Sequence, residues 1–202
     1  MALFTEYEIR ARAQTEARKA KHLYKSNSQI LDSVSLEDRK SLYSFDIFLS
    51  HSFKDAELIL GIKLTLEDLG HTVYVDWITD PQLNRDSITE STAEVLRTRM
   101  SSSSSLFYVT TDHATQSKWM PWECGFFDGL KGKVAIIPVK SASSSDYYKG
   151  QEYLGLYPYG LKARSRGGKD LIYIHKSEKI YLPFSTWVSM PREDTKWNTL
   201  TG

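Results

Sequence analysis

One cysteine, Cys124, stands among the 202 residues. A single thiol excludes an intramolecular disulfide framework and any cysteine-based zinc cluster, and it fits a small apolar side chain buried as a free thiol. Long apolar runs are missing too: no stretch of about 18 apolar residues is present to span a bilayer. The opening MALFTEYEIRARAQTEARKAKHLYK is charged from Glu6 onward and lacks the apolar centre of a secretory signal, so the expected location is cytoplasmic. Charge of one sign is also lacking. Twenty-six Lys and Arg against 25 Asp and Glu leave +1, and without a basic excess nucleic acid is not an expected partner. What is present, 41% hydrophobic and 25% charged residues, suits a soluble chain with one main domain and an extension.

Residues 5–25 are strong helix formers with a thin, mostly alanine apolar stripe, so this helix is expected to pack loosely on the domain or to face a partner. From Tyr43 the pattern changes. FDIFLSHSF (45–53) reads as a strand, and DAELILGIKLTLEDLG (55–70) as a helix with Leu58, Ile62, Leu66 and Leu69 on one face and Gly70 at its end. HTVYVDW (71–77) is the next strand. A loop with Pro81 follows, then the helix SITESTAEVLRTRM (87–100), with Ser87 as N-cap and Glu90 completing a capping box. SLFYVTT (105–111), the helix in SKWMPWECGFFDG (117–129) and the strand KVAIIPV (133–139) continue the alternation. Near-continuous apolar strands alternating with helices predict an α/β fold, a parallel sheet covered on both faces. The serine-rich stretches 101–105 and 140–148 read as surface loops. LIYIHKSEKIYLPF (171–184) reads as a hairpin in a β-rich tail, with Trp187 and Trp197 anchoring it by packing. The expected division is a helical extension over 1–42 and a main domain over 43–202, with its core at 43–140 and a C-terminal extension at 141–202.

In an open α/β sheet, ligands bind beyond the carboxyl ends of the strands. Those ends carry Ser50, His51, Ser52 and Phe53 after the first strand, Asp76 and Trp77 after the second, and Thr110 and Thr111 after the third. Neither GxxxxGK[ST] nor GxGxxG follows the first strand, which disfavours the common mononucleotide and dinucleotide sites. Adjacent acids, as a phosphoacceptor receiver would carry, are absent there as well. With Ser117 as cap, Pro121 falls in the first helical turn, where proline is tolerated. Trp119 and Glu123, four apart, share a face, while Trp122 and Phe126 share another that can enter the core. Spacing alone leaves two readings of Glu123, an acid settled by the helix dipole or a carboxylate that does chemistry. His22, His71, His113 and His175 show no metal-ligand spacing with one another, and Cys124 has no paired base in the sequence.

These stretches together resemble the Toll/interleukin-1 receptor (TIR) family, in its stand-alone bacterial, anti-phage defence form. FDIFLSHSFKD is similar to the family's first strand and following loop, VYVDW to its second strand, DPQLNRDS to its BB loop, and WMPWE to the W-x-x-x-E pattern of NAD-cleaving members; the match spans about 43–140. The resemblance implies a flavodoxin-like TIR fold and cleavage of the nicotinamide–ribose bond of NAD+, giving ADP-ribose or a cyclic ADP-ribose isomer. It puts Glu123 at the catalytic position, Trp119 at the aromatic before it, and Ser50, His51, Ser52, Phe53, Asp76 and Trp77 around the nucleotide. NAD+ is then the substrate, with no cofactor and no metal. The implied partners are further copies, through TIR–TIR contacts, and an effector protein that senses the nucleotide product. The competing expectation is a non-catalytic module assembling through the loop around Pro81. One carboxylate suffices for the chemistry: nicotinamide leaves as a neutral molecule and needs no acid, so the remaining task is to stabilise an oxocarbenium-like centre and hold the ribose.

Overall fold

Four apolar runs become parallel strands because both of their faces are covered. The computed structural model describes residues 2–22, 44–80, 83, 89–111, 113–141, 152–165 and 167–200. The chain enters through β1 (Phe4–Thr5) and α1 (Glu6–His22), then builds β2 (Phe45–Ser50), α2 (Ala56–Asp68), β3 (Val73–Tyr74), α3 (Asp76–Thr79), α4 (Glu90–Ser101), β4 (Ser103–Thr110), α5 (Trp119–Lys131) and β5 (Val134–Lys140). The tail adds β6 (Tyr159–Arg164), β7 (Asp170–Ser177), β8 (Ile180–Pro183), α6 (Phe184–Ser189) and β9 (Asn198–Thr199). Strand order is β3-β2-β4-β5-β6-β7-β8-β9, with β1 parallel to β5 through Phe4 opposite Val139. Pairing is parallel from β3 to β6 and antiparallel beyond. This is the flavodoxin-like arrangement expected for the fold class, and 171–184 forms the expected hairpin.

Alternation along the strands divides the core. Ile47, Leu49, Phe107, Val109, Ala135 and Ile137 face α1, α2 and α6, while Phe48, Leu106, Tyr108, Val134 and Ile136 face α4 and α5. Trp187, in α6, is buried, and its carbonyl accepts from Lys133 Nζ at 2.8 Å, which ties the tail to the start of β5. Trp197 is partly buried against the same core. Among the described residues, no helix is long and apolar enough to cross a membrane.

Four details depart from the sequence reading. Helix α1 is not loosely packed: Phe4, Ile9 and Ala13 are buried, and Gly61 of α2 lies so close that a Cβ built on it would sit 2.2 Å from the Ile9 carbonyl oxygen. Arg10 to Glu57 at 2.8 Å and Arg12 to Asp68 at 2.6 Å flank that contact. The serine run is partly strand, since Ser103 and Ser105 are buried in β4. Their hydroxyls donate to the carbonyls of Arg99 and Asp46, both at 2.8 Å, which removes the cost of burying them. The second strand stops at Tyr74, and Asp76 and Trp77 open α3. Helix α4 is capped by Thr89, whose Oγ1 accepts from Thr92 N–H at 3.1 Å; Ser87, the expected cap, lies outside the described residues, as do Pro81 and residues 142–151.

Candidate active site

After β2 the chain steps outward to β3, then crosses to β4 on the other side of β2. Their carboxyl ends therefore flank the switch point where a doubly wound sheet leaves a crevice. Ser50 ends β2 opposite Tyr108 of β4, and α5 rises just after β4.

Helix α5 begins one residue later than its sequence suggests. The N-cap position is Lys118, whose side chain makes no cap hydrogen bond; Ser117, one residue earlier and extended (φ −78°, ψ 131°), accepts the Met120 N–H at 3.3 Å through its Oγ. Pro121 then occupies the first turn, where its missing N–H costs nothing. Gly132 ends the helix at φ +62°, donating to the carbonyl of Asp128 at 2.9 Å. Met120, Glu123, Cys124 and Phe127 point into the fold, and Trp119 is buried beside them. Trp122 and Phe126 are only half-buried, contrary to expectation. At helical spacing the inward direction runs through 120, 123, 124 and 127, which leaves 122 and 126 on the flank. There they stack at 5.7 Å, with Trp119 edge-on to Trp122 at 5.4 Å and the Arg97 guanidinium 5.6 Å from the Trp122 ring.

Glu123 is fully buried, and its Oε2 accepts the Ser50 hydroxyl at 2.6 Å. Cys124 is held as a thiol: burial pushes its pKa up to about 11, which removes it as a nucleophile.

The segment after β2 is built around His51. Its Nδ1 lies 2.7 Å from the Leu49 carbonyl oxygen, its Nε2 3.1 Å from Trp77 Nε1 and 3.3 Å from Asp76 Oδ1. Residues expected around the nucleotide, His51, Asp76 and Trp77, thus come together in one cluster, with His51 and Asp76 buried and Trp77 half-buried. Ser52 is buried, whereas Phe53 is 64% exposed on the rim.

Sequence reasoning missed Asp55. It stands where an N-cap of α2 would be, yet its carboxylate makes no cap hydrogen bond. Instead it accepts from Thr111 Oγ1 at 2.6 Å and pairs with His113 Nδ1 at 2.7 Å. Lys54 Nζ donates to Gln116 Oε1 at 2.6 Å. These contacts fasten the segment after β2 to the one leading into α5, and so fix the distance between Ser50 and Glu123. An acid after a strand-end loop was the available signal, but the distant partners were not. Also unforeseen is a triad that joins Tyr74 and Asp80, both buried, to the half-buried Arg99 of α4. Asp80 accepts from Tyr74 Oη at 2.9 Å and from Arg99 Nε and Nη2, each at 2.9 Å. Burial, then the Asp80 charge, raise the Tyr74 phenol well above its usual range. Among the described residues no group of three or more His, Cys, Asp or Glu could hold a metal ion.

Over 192 residues the chain is 45% identical to the probable 3′ cyclic ADP-D-ribose synthase ThsB′ of Bacillus cereus (strain MSX-D12), covering 93% of this chain and 98% of that protein. It is 31% identical over 97 residues to the putative cyclic ADP-D-ribose synthase TIR2 of Cytobacillus dafuensis, covering 48% of this chain and 25% of that protein. The chain belongs to the TIR family. No family model matches it, so the assignment rests on the full-length likeness to ThsB′ and on the fold. Within the TIR chain, the W-x-x-x-E stretch lies at the sheet's switch point, with Trp119 and Glu123 both buried there.

Proposed function

We propose that this TIR protein is a cyclic ADP-D-ribose synthase that cleaves the nicotinamide–ribose bond of NAD+, in bacterial anti-phage defence. The observation that carries the reading is the buried Glu123 carboxylate at the switch point, held by Ser50 at 2.6 Å; the names of the two relatives support the same chemistry. The glycosidic C–N bond breaks with its electron pair going to nicotinamide, which leaves neutral. Glu123 faces the positive charge that grows on the ribose, where a water-poor setting makes its stabilisation large. A hydroxyl or adenine nitrogen of the same molecule then bonds to the ribose carbon, and a hydroxyl nucleophile gives its proton to solvent. Trp119 and Trp77 supply aromatic surface that excludes water and can stack on a ring of the substrate. His51, Ser52, Phe53 and Asp76 form the surround. The reaction as written needs neither cofactor nor metal. Assembly through TIR–TIR contacts, an effector that senses the cyclic product and a cytoplasmic setting complete the proposal.

The test is incubation of the purified chain with NAD+, at dilute and at high protein concentration, with mass spectrometry of the products. Nicotinamide with a cyclic ADP-ribose isomer is expected, and Glu123→Gln should reduce its formation by about 10²-fold or more. ADP-ribose as the sole product would replace the cyclase reading by hydrolysis. Undiminished turnover by a folded Glu123→Gln would remove Glu123 from the mechanism.

A further inference from the structure

Ser50 and Glu123 stand 73 positions apart in the chain, yet their side chains meet in full burial, the hydroxyl donating to Oε2 at 2.6 Å. The two sides of this contact are unequally fixed. Ser50 belongs to β2 and its backbone is registered against Tyr108 in β4; the next residue, His51, is held through both ring nitrogens. Glu123 reaches the crevice on a side chain whose last torsion is broad and two-fold, so packing of its methylenes does not fix the plane of the carboxyl group. A short, charge-assisted hydrogen bond from a rigid strand does. The serine proton is already committed to the carboxylate, and the hydroxyl is fully buried.

We infer that Ser50 is a positioning residue for NAD+ cleavage: it acts through Glu123, setting the angle at which the carboxylate meets the ribose, and does not act by contact with the substrate. The inference rests on the reading of Glu123 given above. It predicts that loss of the hydroxyl lowers kcat and spares KM, because a misaligned carboxylate weakens the transition state while the substrate still binds.

The experiment measures kcat and KM for nicotinamide release from NAD+, together with melting temperature, for the wild type, Ser50→Ala, Ser50→Cys, Ser50→Thr and Glu123→Gln. Ser50→Cys keeps the volume but offers only a weak S–H donor, so it remains informative if the alanine variant folds poorly. The expected result is a fall in kcat of about 10²-fold for Ser50→Ala and Ser50→Cys with KM within about threefold of wild type, and recovery of kcat in Ser50→Thr, which keeps a hydroxyl. A folded Ser50→Cys with wild-type kcat overturns the inference. So does a raised KM at unchanged kcat, which would make the hydroxyl a substrate contact, or a Ser50→Thr that melts like wild type yet turns over like Ser50→Ala. Glu123→Gln separates the two levels: if it is inactive while the Ser50 variants keep their kcat, only the positioning role falls; if it stays active, the reading of Glu123 falls with it.

Discussion

The indole N–H of Trp77 points at Nε2 of His51 across 3.1 Å, while the opposite nitrogen of that ring lies 2.7 Å from the Leu49 carbonyl oxygen. A carbonyl oxygen only accepts and an indole N–H only donates, so the pattern places a His51 ring proton on Nδ1 and leaves Nε2 as the acceptor. Asp76 Oδ1, 3.3 Å from the same Nε2, would need a proton on that nitrogen. Trp77→Phe removes the donor that opposes one. Nitrogen-15 NMR of the imidazole should show Nε2 unprotonated in the wild type and should show it gaining proton character in Trp77→Phe. Unchanged ring resonances would mean that Trp77 does not set the tautomer.

Arg99 is the cation that makes a buried Asp80 tolerable. The side chains are 18% and 8% exposed, so solvent screens them little. Arg99→Ala leaves an uncompensated carboxylate and should destabilise the fold by about 3–5 kcal/mol in urea titration. Adding Asp80→Asn should recover much of that loss, because a neutral amide no longer needs the guanidinium. If the double variant is no more stable than the single one, the charge is not the cause.

Gly61→Ala sets two effects against each other. Helix propensity favours alanine by about 1 kcal/mol, but the new Cβ would meet the Ile9 carbonyl oxygen at 2.2 Å and Ile9 Cγ2 at 2.7 Å. Backbone cannot yield as a flexible side chain can, and overpacking costs about 1–3 kcal/mol. The net expectation is a lower melting temperature, with α1 the first element to lose hydrogen-exchange protection.

His175 should make the fold acid-sensitive. Its ring is stacked between Tyr159 and Tyr181, each at 5.6 Å, and burial, opposed by the Ser177 carbonyl, lowers its pKa below the ordinary 6.5. Above that value both folded and unfolded chains carry a neutral ring, and stability is complete. As pH falls through it, the unfolded chain takes the proton first, and stability is lost until the folded pKa is reached. His71, lowered by burial, has the same sign. Melting temperature should drop between about pH 7 and pH 5, less steeply in His175→Phe, which keeps the stacking. An identical slope in the variant would assign the acid sensitivity elsewhere.

What could be read from residue order alone was the alternation that sets the sheet, the serine and proline at the start of α5, and the convergence of Ser50, His51, Trp119 and Glu123 on one edge. The first two depend on close neighbours in the chain, and the third on the rule that ligands bind beyond the carboxyl ends of the strands in an open α/β sheet. What could not be read depends on which groups the folded chain brings together. Ser103 and Ser105 look like loop residues until the carbonyls of Arg99 and Asp46 are supplied. The alanine-lined α1 looks poorly anchored until Gly61 provides a surface without a side chain. The role of Asp55 stays hidden in the sequence because its partners, Thr111 and His113, belong to the connection after β4.

The placement of β1 bears on how the chain is made. Phe4 and Thr5 pair with Val139 and Lys140, and Ala2 bridges to Lys162, so residues made early find their strand partners only when much later ones follow. At roughly 5–20 residues per second the wait is on the order of ten seconds. Helix α1 can meet α2 well before that, and this early docking would shield the apolar Phe4 and Ile9 until β5 arrives. Variants that loosen α1, Gly61→Ala first among them, should therefore lower the yield of soluble protein during synthesis more than their equilibrium stability alone would suggest.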